Sequence, residues 1–122
     1  MKPATLLLLL ALAAAYPANQ ATDERADVAL QAAIKKEVVD GDLKSAIEQY
    51  KKIAQGGNRA VAAKALVRMG QCYEKLGDAE ARKAYESVIR QYADQSSSVG
   101  EARARLAALG HPGGKGQPSG MV

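Results

Sequence analysis

His111 and Cys72 are the only histidine and cysteine in the chain, and they stand far apart in very different contexts. His111 precedes Pro112 in a Gly/Pro-rich stretch, whereas Cys72 adjoins Tyr73 within an apolar helical pattern. Catalysis needs a base, a nucleophile or a metal set held within mutual reach. One cysteine and one histidine cannot build a zinc site. Gly113-Gly114-Lys115-Gly116 lacks both the spacing of a phosphate loop and the strand and helix that would flank it. Glu48, Glu74 and Glu86 fall where helices expose polar side chains. The residues therefore predict no catalytic site, no metal site and no cofactor, and the chain reads as a non-enzyme. Cys72 has no intramolecular disulfide partner. In an exported protein it could pair between chains, but a small buried residue in an apolar stripe is the stronger reading.

Charge points the same way. The formal net charge is +4, yet acidic and basic residues alternate and no run of five like charges occurs. That is the pattern of solvated helix faces, not the concentrated basic patch of a nucleic-acid surface. The chain has no Phe and no Trp. A core rich in Ala and Leu requires close helix contacts, with tyrosine as its large packing residue. Four of the five tyrosines, Tyr50, Tyr73, Tyr85 and Tyr92, fall in one region.

The N-terminus has the three-part build of a secretory signal. Lys2 gives a positive start, Leu6 to Ala15 is an apolar run of ten, and Ala13-Ala14-Ala15 is a small-x-small cleavage site, with Asn19-Gln20-Ala21 a second choice. Ten residues of helix reach about 15 Å, half the bilayer core, so a membrane anchor is disfavoured. Residues 1–21 are read as signal peptide and leader, leaving an exported protein, periplasmic or extracellular, with no membrane span after cleavage.

Residues 22–109 carry helical periodicity and an internal repeat. The first helix is expected from about Asp23 to Val39, with Ala26, Leu30, Ala33, Ile34 and Val38 inward and Glu37 interrupting the stripe. Asp40-Gly41-Asp42 ends it, Gly41 taking positive φ and Asp42 capping a second helix over 43–54. Gly56-Gly57 suits a C-terminal cap and Asn58 an N-cap for a third helix over 59–76. Gly77-Asp78 turns the chain into a fourth helix bearing Ala81, Ala84, Tyr85, Val88, Ile89 and Tyr92. A polar loop over 94–98 follows, then Ser98 and Glu101 as a capping box and a fifth helix with Ala102, Leu106 and Leu109. Residues 110–122, with five glycines and two prolines, are expected to be a disordered tail. Ala46, Tyr50 and Ile53 return as Ala81, Tyr85 and Val88, each 35 positions later. Such a period marks stacked supersecondary units.

The second unit resembles the tetratricopeptide repeat through Leu66, Met69, Gly70, Tyr73, Gly77, Ala81, Tyr85 and Val88, in the tract Met69-Gly70-Gln71-Cys72-Tyr73-Glu74-Lys75-Leu76-Gly77-Asp78. It looks like exported bacterial members of that family. The first unit matches in its second helix, through Gly41, Asp42, Ala46, Tyr50 and Ile53, but places Ile34 and Glu37 where glycine and tyrosine are expected. The resemblance implies an all-α solenoid of two helical hairpins plus a capping helix. Gly70, Ala46 and Ala81 would let helices approach, and the tyrosines would fill the space between hairpins. By the same resemblance, a groove lined by the first helix of each hairpin would present Gln31, Lys35, Lys64, Val67, Gln71, Glu74 and Lys75 to an extended peptide or a partner helix. The bland alternative is that these are solvated positions.

Two function classes follow. One is a scaffold that binds a peptide or protein through the groove. The other is an oligomerising or structural arm of a bacterial cell-envelope assembly. Two units fall short of the three or so that such arrays usually need, which predicts marginal stability or burial by self-association or a partner.

Overall fold

The computed structural model describes residues 18–110, with side chains described from Asp23 onward. Five helices follow in order: α1 (Ala18–Val38), α2 (Leu43–Ala54), α3 (Arg59–Lys75), α4 (Glu80–Gln91) and α5 (Ser96–Leu109). Their boundaries have local causes. Asp42 accepts the Ser45 N–H at 3.1 Å and caps α2. Asn58 accepts the Val61 N–H at 2.9 Å and caps α3. Gly41 and Gly77, the turns within the two hairpins, both have φ of +69°, a conformation that side-chain-bearing residues adopt at a cost. Asp78 accepts the Glu80 N–H at 2.9 Å as α4 begins.

The helices stack as antiparallel neighbours, α1 on α2, α2 on α3, α3 on α4 and α4 on α5. In addition α1 touches α3 and α3 touches α5, whereas α2 and α4 are linked only at one end, where Tyr92 at the C-cap of α4 donates to the Ala54 carbonyl at 3.3 Å. The odd-numbered helices therefore form one contacting layer, and the even-numbered helices splay apart behind it. A stack with contacts on one side only curves toward that side, so α1, α3 and α5 line the inner face. The fold is an all-α solenoid of two hairpins plus a fifth helix, the architecture that the resemblance implies.

Two apolar clusters sit between the layers. One joins Leu30, Ala33, Ala46, Ile47, Tyr50, Val61, Ala65 and Cys72. The other joins Ala62, Ala63, Leu66, Val67, Ala81, Tyr85, Val88, Tyr92 and Ala102. Met69 and Tyr73 pack against both, so α3 is the shared wall. Gly70 faces the Tyr85 ring so closely that an added Cβ would lie 2.5 Å from Cε1. Helix approach here needs the missing side chain.

The structure departs from the sequence expectations at several points. The chain is already helical at Ala18, the first described residue, rather than from near Asp23, because Ala-Asn-Gln-Ala-Thr contains no helix breaker. Val38 lies 62% exposed instead of in the inner stripe. Glu37 does not interrupt packing: it is buried, with 4% exposure. Gly56 and Gly57 do not take positive φ, and α2 ends on Gln55 in an ordinary right-handed conformation. The 94–98 loop is shorter than expected. Helix α5 begins at Ser96 with Gln95 at its N-cap, Ser98 is buried inside the first turn, and Glu101 accepts from Gln71 at 3.0 Å instead of closing a capping box. The signal segment, apart from its last residues in α1, and the tail from His111 onward lie outside the described residues.

Candidate functional site

A carboxylate from the inner layer meets a tyrosine hydroxyl from the outer layer twice in this structure. Tyr50 Oη of α2 donates to Glu37 Oε1 of α1 at 2.6 Å, and Tyr85 Oη of α4 donates to Glu74 Oε2 of α3. In each case an arginine from the next inner helix completes the group. Arg68 Nη1 of α3 donates to Glu37 Oε1 at 3.2 Å, and Arg105 Nη1 of α5 donates to Glu74 Oε1 at 3.5 Å. Glu37 and Glu74 are 37 positions apart, as are Arg68 and Arg105, while the tyrosines are 35 apart. Three successive helices are thus tied at one point, and the tie repeats with the fold. Helix α5 stands over α3 and α4 as α3 stands over α1 and α2, so it has the place of the first helix of a third unit.

The first tie has an extra cation, Lys75 Nζ, donating to Glu37 Oε2 at 3.1 Å. Burial pushes the Glu37 carboxyl up, but hydrogen bonds from Tyr50, Lys75 and Arg68 outweigh it and hold the group below its ordinary value. A buried charge needs such partners to be tolerated. Burial, then the bond to the carboxylate, raises both Tyr50 and Tyr85 above the usual phenol range. Cys72 is buried in the same cluster. Burial pushes its thiol up to about 11, and the Glu37 charge adds to the effect. A thiol so placed is a poor nucleophile.

On the exposed side of the inner layer, α3 presents Lys64, Arg68, Gln71 and Lys75, spaced by four, three and four residues and therefore on one stripe. The positions expected to line a groove divide accordingly. Gln31, Lys35 and Lys64 are exposed. Gln71 and Lys75 are on the same face, bonded to Glu101 and Glu37. Glu74 is half-buried and is taken up by Tyr85 and Arg105. Val67 is a core residue with 3% exposure, packed in the cluster that includes Ala102 of α5, and offers no surface to a partner. Among the repeat positions, Gly41 and Gly77 make turns, Ala46, Ala81, Tyr50, Tyr85, Leu66 and Gly70 are buried, and Tyr73 packs against both clusters.

Glu37, Arg68, Arg105 and Glu101 were missed by the sequence reading as organising residues. A second clasp joins the loop ends. The Arg59 guanidinium is ion-paired with Asp94 and lies 4.8 Å from the Tyr92 ring centroid, and the hydrogen bond from Arg59 holds the Asp94 carboxyl well below the usual range.

Residues 64–94, which take in most of α3, the turn after it and all of α4, match a family model for the tetratricopeptide repeat. Searches among curated proteins and among solved structures give no match. The repeat suggests a protein–protein interaction role. No helix among the described residues is long and apolar enough to cross a membrane.

Proposed function

We propose that this chain is an exported, non-enzymatic scaffold that holds a peptide or protein partner along its inner helix layer. The observation that carries the reading is the α3 stripe of Lys64, Arg68, Gln71 and Lys75 on the inside of the curve. Arg68 and Lys75 of the stripe are held by Glu37 and Gln71 by Glu101, so the surface is pre-organised, which lowers the entropy cost of binding. The signal-like N-terminus supports export to the periplasm or beyond. A second reading, an oligomerising arm of a bacterial envelope assembly, draws on Val28 and Val38, which are 69% and 62% exposed on α1.

Two experiments test the proposal. Mass spectrometry of the protein recovered from its host should find an N-terminus at Tyr16 or Thr22, and a chain retaining Met1–Ala15 would contradict export. For binding, Lys64→Glu/Gln71→Arg alters the stripe while giving Glu101 a cation to pair with. Lys75 is left alone because its replacement would take from Glu37 one of its two cations. A partner recovered with the wild type should lose affinity for the double variant by about tenfold or more. Equal affinity would show that the partner binds elsewhere.

A further inference from the structure

Helix α1 carries a second stripe that the intramolecular packing does not use. Leu30, Ala33 and Glu37 face the other helices. Around the helix, Glu24, Val28, Gln31, Lys35 and Val38 are all exposed, at steps of four, three, four and three. That is the spacing of a seam between two helices. Val28 and Val38 are two of the large apolar residues left most open to solvent. The charge along the stripe is polarised, with Glu24 and the adjoining Asp27 in its N-terminal half and Lys35 in its C-terminal half. A parallel pairing of two such helices would set like charge on like. An antiparallel pairing sets Glu24 of one against Lys35 of the other, twice, with Val28 and Gln31 between them.

We propose that α1 is a self-association surface, pairing antiparallel with α1 of a second copy of this chain about a two-fold axis. The contact is isologous: the same stripe serves both partners, so the assembly closes as a dimer and cannot extend. Glu24 to Val38 spans about 21 Å of helix, and a single helix pair of that length buries less than the roughly 1,000 Å² expected of a stable interface. The dimer is therefore weak and reversible, forming at high local concentration. Gln31 and Lys35 face the second copy in this arrangement, while the α3 stripe stays open. The inference does not rest on partner binding at α3, because Lys64 takes no part in the seam.

Sedimentation equilibrium of the full chain up to about 1 mM, at low and high salt, tests it. The wild type should show a monomer–dimer equilibrium that weakens with salt. Glu24→Lys and Lys35→Glu, each alone, set like charges face to face and should weaken the dimer by about tenfold. Mixing the two single variants, or combining both changes in one chain, restores opposite charges at every contact and should recover association. Val28→Asp should abolish it. Both charged positions are exposed, so circular-dichroism melts of the variants should match the wild type and exclude a folding effect. A wild type that stays monomeric at 1 mM, a dimer that neither single substitution weakens, or a failure of the mixture to recover would each overturn the proposal.

Discussion

At the residue scale, Glu37 decides how α1 is held. Glu37 holds in the first tie the place that Glu74 holds in the second, and its buried charge is answered by donors from two other helices. Glu37→Ala would leave the buried Tyr50 hydroxyl without its acceptor, and should destabilise the fold by about 2–3 kcal/mol in urea melts. Tyr50→Phe, which leaves Glu37 its two cations, should cost about 1 kcal/mol. The pH dependence follows from direction. The folded value of Glu37 lies below the ordinary 4.5, so its contribution is present above pH 4.5 and is lost as pH falls below that. Tyr50 and Tyr85 lie above the ordinary 10.0, so their contribution is present below pH 10 and is lost as pH rises past it. Thermal melts should show a plateau between these limits, and Glu37→Gln should flatten the acid limb. Cys72 should resist alkylation in the native state and react on unfolding. Fast native labelling would contradict its burial.

At the element scale, the turns and the close helix contacts test the stacking. Gly41→Ala and Gly77→Ala meet no atoms within 4 Å, so each should cost only the backbone strain of positive φ, about 1 kcal/mol, and the two should add. Gly70→Ala instead drives a Cβ into the Tyr85 ring and should cost about 1–3 kcal/mol. Hydrogen exchange should be slowest in α3, which walls both clusters, and faster in α1 and α5 at the ends of the stack. These elements were legible in the sequence because glycine, Asp42, Asn58 and the apolar spacing act locally. The ties were not, because Glu37 is recognisable as a partner for Tyr50, Arg68 and Lys75 only when three helices have been placed. The capping box at Ser98 failed because Ser96 and Ser97 are acceptable in a first turn and the helix begins at Ser96, which puts Ser98 inside it. Val67 was misplaced because α5 covers a position that would face outward on an isolated hairpin.

At the scale of the whole molecule, α5 covers the end of the stack and also repeats toward α3 and α4 the tie that α3 makes toward α1 and α2. It gives the short array more continuity than two hairpins would have. Stability should still be modest, because each unit touches only its neighbours. If α1 pairs between copies, the urea midpoint should rise with protein concentration, and this rise should vanish in Val28→Asp. The central claim is that the inner layer meets the partner. The most direct measurement is site-specific photocrosslinking in the native host, with a photoreactive side chain placed in turn at Lys64, Gln71, Lys44 and Lys83. The account predicts that positions 64 and 71, on the inner helix α3, capture the same protein while positions 44 and 83, on the outer helices α2 and α4, do not. Capture from the outer helices with equal yield, or from the outer helices alone, would contradict it.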